Sequence, residues 1–318
     1  MHRVRGKRGL AAAAALLVAG ALAGFAGAWG RHAPGLLAFT STRSGNADVW
    51  VMDACGGGLR NVTAHPAADR RPAWSPDGRR IAFQSDRDGN VELYVMDADG
   101  SNVRRLTNDA ADDFNPAWSP DGRWIAWNSN RTGDYEIYVT DAATGADVRR
   151  LTFAAGVDSV PSWSPRGRAI VFESGRDGNA EIYVMLADGR YQTNLSRHPA
   201  GDFNPAWSPD GFRIAFTSDR DGDNDLYVMR VDGRRVRALT ANEADDRNAA
   251  WSPDGKRLAF ATNRDGNFEI YAMRADGRAI ARLTDDPAAD TIPAWQRLPR
   301  RGRNPAHSSH AACRPQGG

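Results

Sequence analysis

Tryptophan recurs in this chain with a period of about 44 residues. Trp74, Trp118, Trp163, Trp207, Trp251 and Trp295 are separated by 44, 45, 44, 44 and 44 positions. A period of that length confines the chain to repeat architectures, where each unit buries its apolar face only against its neighbours. Four of these Trp open the string WSPDG, and Trp163 opens WSPRG. The one extra residue falls in a turn, where Asp141–Gly145 (DAATG) replaces Asp97–Gly100 (DADG).

Each unit holds four short strand candidates. In the unit beginning at Pro72 they are PAWS, RIAFQS, VELYVMD and VRRLT, separated by S-P-D-G, R-D-G-N and A-D-G. The runs are rich in aromatic and β-branched residues, and the separators carry the Gly and Asn that tight hairpins use. Four antiparallel strands per repeat at this period predict a propeller blade, and the frequent turns exclude a solenoid of helix pairs. Residues 36–63 read as a unit without its first strand, and residues 293–297 as a first strand without the rest. The expected fold is therefore all-β: a six-bladed β-propeller of four-stranded antiparallel blades, closed by a blade split between the N- and C-termini. Closure removes open sheet edges. The six Trp are expected to pack between blades.

The repeats PAWSPDGRRIAFQSDRDGNVELYVMDADG and PAWSPDGFRIAFTSDRDGDNDLYVMRVDG resemble those of the TolB-type propellers, a WD-repeat-like family. The resemblance covers about residues 36–297. It implies a binding role, because propellers of this family dock a peptidoglycan-associated lipoprotein and other Tol partners. The fold itself hosts many unrelated activities. Family members also carry an α/β domain ahead of the propeller, for which about seven residues here leave no room. A generic TolB-like scaffold is thus expected rather than a Tol-system component.

Three charged positions recur in every unit. An Asp stands five residues before each Trp (Asp69, Asp113, Asp158, Asp202, Asp246 and Asp290). An Arg stands in the second-to-third turn (Arg43, Arg87, Arg131, Arg176, Arg220 and Arg264), with an acid five residues on (Asp48, Glu92, Glu136, Glu181, Asp225 and Glu269). Strand parity puts all three at one end of the blades, here called the top. A residue present in every blade serves what all blades share, so each Arg is expected to tie its Asp and its second acid together. The Asp ring is also a candidate lining of the channel mouth. Positions that differ between repeats are better candidates for partner recognition: Arg70, Phe114, Phe203 and Arg247, four residues before Trp, and Tyr135 and Phe268, after the top turn. Clustered aromatic and Arg side chains are the usual anchors of an interface; local packing is the competing reading.

Other chemistry is sparse. Ser218–Asp225 places Asp219, Asp221, Asp223 and Asp225 at alternate positions, like the start of a calcium loop, but lacks the twelve-residue frame and closing Glu of an EF-hand. No cofactor is expected, with a weak divalent-cation site at that turn as the alternative. His65 and His198 occupy equivalent positions three blades apart and cannot share a metal, which disfavours a metal-dependent pectin-lyase type of propeller. There is no G-x-S-x-G elbow and no phosphate-binding loop. An enzyme, acting on a carbohydrate or small ligand in the central channel, stays as the alternative to a scaffold. A sixfold-repeated acid serves catalysis poorly, whereas one unrepeated acid with a perturbed pKa would mark such a site.

The ends read differently from the body. Residues 1–28 have a basic start, the uncharged run Leu10–Ala28 and the small-residue end Ala26-Gly27-Ala28. This is the pattern of a secretory signal, cleaved after Ala28 or kept as an anchor. With no Cys near the cut and no twin Arg, general export is expected, to the periplasm or outside the cell. Residues 29–297 form the propeller, and the basic segment 298–318 is expected to be disordered. Cys55 and Cys313 could pair in an oxidising compartment. Of the formal charge of +2, residues 1–28 contribute +4 and residues 297–318 contribute +5, so residues 29–296 carry −7. A mildly acidic body without a basic stripe argues against nucleic acid. The expected partner is a protein or cell-envelope component, met by a monomer not stably inserted in a membrane after cleavage.

Overall fold

A computed structural model describes residues 35–297. The segment expected to be an export signal and the C-terminal tail lie outside the described residues, as does Cys313; Cys55 is not free. The described residues form six sheets of four strands each. In blade 1 the strands run outward from the channel as β4 (Asp69–Trp74), β5 (Arg80–Ser85), β6 (Glu92–Asp97) and β7 (Arg104–Arg105). Blades 2 to 5 repeat this order over Asp113–Arg150, Asp158–Asn194, Asp202–Ala238 and Asp246–Arg282. The closing blade joins β24 (Asp290–Trp295) to β1 (Leu36–Ser41), β2 (Asp48–Asp53) and β3 (Arg60–Asn61). Leu37 pairs with Trp295 and Ser41 with Asp290, which is the split-blade closure expected from the sequence.

Local chemistry explains the repeat string. In W-S-P-D-G, the Ser75 hydroxyl donates to Asp77 at 2.6 Å, and Asp77 accepts the Arg79 backbone N–H. Ser75 N–H closes the hairpin on the Arg80 carbonyl. The A-D-G turns place Gly where a neighbouring blade comes close. A Cβ on Gly100 would sit 2.3 Å from the Val62 carbonyl oxygen, and Gly145 meets Leu106 in the same way. Gly is needed there for close approach as well as for positive φ.

The core is built between blades. Trp74 packs with Val49, Val51 and Val62 of the closing blade and with Ile81, Phe83 and Tyr94 of its own. Its indole N–H donates to the Ala294 carbonyl of the neighbouring innermost strand; Trp163 and Trp251 do likewise to Ala117 and Ala206. The Trp residues thus fasten blades to each other. Every innermost strand also carries one extra residue opposite its neighbour, a β-bulge. At that point Arg71, Asn115, Val160, Asn204, Asn248 and Ile292 adopt φ between 48° and 58°. Asn tolerates this conformation, whereas Val160 and Ile292 are strained in it.

Candidate functional site: the top face and the central channel

At the top, the recurrent Arg and Asp meet in all six blades. Arg87 Nη2 donates to both oxygens of Asp69 at 2.9 Å, and its Nε donates to Ser85 at 3.0 Å. Its guanidinium lies over Phe83 and Tyr94, 5.3 and 4.7 Å from the ring centroids. Arg131 repeats the arrangement with Asp113, Ser129, Trp127 and Tyr138. The fork is shared between a carboxylate and a hydroxyl, and the cation is capped by aromatic faces.

Two expectations need correction here. The second acid does not belong to this clasp. Glu92 accepts from Thr107 at 2.5 Å, from the Asp109 backbone N–H at 2.7 Å and from Arg105 of β7 at 2.7 Å. It ties the outer strand and the next loop to β6. The Asp ring also does not line the channel mouth. Asp69, Asp113, Asp158, Asp202, Asp246 and Asp290 are all 0% exposed. Burial pushes the carboxyls of Asp113, Asp158 and Asp290 up, against the pull of their Arg partners.

The top residues at positions that differ between repeats keep surface. Arg70 is exposed; Phe114, Tyr135, Phe203, Arg247 and Phe268 are half-buried. Phe114 and Tyr135 meet edge to face with centroids 5.7 Å apart. Arg247 sits 5.5 Å from the Phe268 centroid and 2.8 Å from Asp245. Four of the six therefore pair within their own blades, and each pair leaves a face to solvent.

In blade 4 the acidic turn closes on itself. One oxygen each of Asp221, Asp223 and Asp225 lies within 4.8 Å of the others, while Asp219 instead accepts the Gly201 backbone N–H. Burial pushes Asp225 up to about 6, helped by Asp221 and Asp223 and opposed by a hydrogen bond from Thr240. Hard oxygen ligands in this number could contact a divalent cation but do not complete its shell. The histidines serve their own loops: Nδ1 of His65 and of His198 accepts the backbone N–H two residues on.

The channel holds what the sequence reading missed. The bulge N–H of one blade reaches a side chain on the second strand of the preceding blade. Arg71 donates to Thr40, Asn115 to Gln84 and Asn204 to Glu173, at 3.1, 3.1 and 3.2 Å. Aligned across the repeats, that second-strand position reads Thr40, Gln84, Asn128, Glu173, Thr217, Ala261. The bulge position reads Arg71, Asn115, Val160, Asn204, Asn248, Ile292. Each column contains one charge. Burial pushes the Glu173 carboxyl up and the Arg71 guanidinium down, and each group feels the other. Column-by-column comparison of the repeats would have found both. Beyond this ring, toward the S-P-D-G end, lies a cavity of about 990 Å³ lined by prolines, the six Trp and Arg166, Arg168 and Arg297.

Comparison with known proteins agrees with this architecture. Residues 23–107, 72–175 and 154–251 match the TolB beta propeller domain family. No curated protein sequence matches. Among solved structures, TolB from Acinetobacter baumannii is similar at 24% identity and a TM-score of 0.75, over 82% of this chain and 66% of that one. A TolB candidate from Agrobacterium tumefaciens is similar at 23% and 0.67, over 83% and 92%. An oligogalacturonate lyase in complex with manganese is similar at 16% and 0.54, over 80% and 75%. At such identities these likenesses speak for the fold alone. The family match, spanning most of the chain, makes it a member of the TolB beta propeller domain family.

Proposed function

We propose that this chain is an exported, monomeric, non-catalytic TolB-type scaffold that docks a protein or cell-envelope component on its top face. One observation carries the reading. The repeated charges at that end are consumed inside the blades, while Arg70, Phe114, Tyr135, Phe203, Arg247 and Phe268, at positions that vary from blade to blade, present aromatic and cationic surface. Interfaces are anchored by such residues. Docking requires no cofactor. Among the described residues no helix is long and apolar enough to cross a membrane. The test is cross-linking in envelope preparations with a photoreactive group at Phe114 or Phe203. A discrete adduct that disappears in the F114A/F203A/R247A variant is expected. Adducts that survive the triple substitution would move the interface elsewhere.

Glu173 favours a second reading, an enzyme acting on a carbohydrate or small ligand in the channel. It is the unrepeated acid with a raised pKa that such a site requires. Turnover of an oligosaccharide panel, lost in E173Q, would establish it over the scaffold.

A further inference from the structure

The bulge ring places one cation and one anion in the channel without joining them. Arg71 belongs to blade 1 and Glu173 to blade 3, two blades away around the ring. Each carries the other's field, yet no ion pair or hydrogen bond connects the two side chains, and the Arg71 guanidinium has no hydrogen-bond partner among the described residues. Glu173 spends one oxygen on the Asn204 N–H. Both side chains are half-buried, so each stays within reach of the channel, where a ligand group can replace the water that serves it. The repeat shows that neither charge is needed for the fold. Asn fills the Arg71 position in three other blades, and neutral residues fill the Glu173 position in five.

We infer that this point of the channel binds a small zwitterion with an apolar side group, an aromatic or branched α-amino acid being the simplest case. The chemistry is reciprocal. A guanidinium fork fits a carboxylate, and a carboxylate fits an ammonium group, so a molecule carrying both charges closes the gap that the protein leaves open. Amide groups stand beside it: Asn115 donates to Asn128 at 2.7 Å, and Gln84 belongs to the same ring. The apolar part has a place as well. Pro72 follows Arg71 directly and Pro161 faces from blade 3, so the Pro- and Trp-lined cavity begins one residue beyond the charged ring. The cavity wall is mixed: Pro and Trp faces can take an apolar side group, and Arg166, Arg168 and Arg297 add polar surface around them. A simple anion would meet Glu173 as well as Arg71, and a simple cation the reverse, so both are disfavoured. The inference is independent of top-face docking and requires no turnover.

The six Trp that line the cavity supply the readout. Phenylalanine titrated into the intact protein should change Trp fluorescence saturably. Phenylacetate and phenethylamine, each with one of the two charges, and glycine, without the apolar group, should bind at least about tenfold more weakly. Two substitutions copy the protein's own repeats and therefore keep the fold. R71N installs the residue of Asn115, Asn204 and Asn248. E173Q installs the residue that already accepts the Asn115 N–H in blade 1. Each should weaken phenylalanine by about tenfold or more while the melting temperature stays put. Three results would overturn the inference: no saturable response at millimolar phenylalanine, an equal response to a single-charge analogue, or wild-type binding by both variants. Ordered water alone in the gap corresponds to the first of these.

Discussion

Blades 2 and 4 share the same innermost strand, DFNPAW, at Asp113–Trp118 and Asp202–Trp207. Both set an Arg–Asp clasp, Arg131 on both oxygens of Asp113 and Arg220 on one oxygen of Asp202. Beyond that strand they diverge. Blade 2 continues with Tyr135, Glu136 and, on its outer strand, Arg150; blade 4 has Asn224, Asp225 and Ala238 at the same positions. Glu136 is held by Thr152 and Arg150, whereas Asp225 keeps only the threonine and gains two acidic neighbours. The inner strand and its clasp therefore define a blade, and the turn and outer strand decide its surface charge. Variation in such a propeller is tolerated where it leaves the clasp alone.

The sharpest test of the shared part is to cut the clasp in both blades. Arg131→Ala or Arg220→Ala leaves a fully buried carboxylate without its cation. Breaking a buried pair from one side costs about 3–5 kcal/mol, and losses in that range are expected in both blades by denaturant unfolding. Burial already favours protonated Asp113, so the loss in R131A should shrink on acidification. A loss below ~1 kcal/mol in either blade would show that the aromatic caps, and not the ion pairs, hold the top.

The differing part makes a prediction of opposite sign. Ala238 is exposed and occupies the position of Arg105, Arg150 and Arg282. Ala238→Arg should restore the missing donor to Asp225 and stabilise the protein by about 1–2 kcal/mol at neutral pH. The pH dependence follows from the raised carboxyl. A group that is easier to protonate when folded stabilises the fold fully below its unfolded pKa near 3.9. That contribution fades as pH rises through about 6. Wild type should thus lose stability from this group between about pH 4 and 6, and A238R should lose less. Identical pH profiles for the two proteins would remove Asp225 as the titrating group.

Period, turns and Trp spacing make the blades legible in the order of the residues alone, because each is a local property repeated six times. The Arg–Asp clasp is legible for the same reason, but the partners of the second acid are not. Thr107 and Arg105 lie 15 and 13 residues from Glu92 and come beside it only when β7 folds back. The burial of the Asp ring is also hidden, since charged residues at a strand end usually face water. Arg71 and Glu173 escape notice because attention to repetition hides single departures from it. A bulge in every innermost strand has no sequence mark beyond Asn at three of six positions.

The smallest expected effect concerns the same two blades at their surface. Phe114 has Tyr135 to pack against, whereas Phe203 has Asn224 at the corresponding position. An edge-to-face pair contributes about 0.5–1.5 kcal/mol beyond the area it buries. A double-mutant cycle with F114A and Y135A should therefore show coupling of that size. The matching cycle with F203A and N224A should show coupling near zero. The outcome also bears on recognition. If Phe114 is tied to Tyr135, it is a preorganised anchor whose ordering cost is already met in the free protein, while Phe203 has the small Gly201 beside its ring and no aromatic partner among the described residues. Phe114→Ala should then weaken docking more than Phe203→Ala does. Equal coupling in the two cycles would make the top faces of blades 2 and 4 equivalent, and the distinction between them would fall.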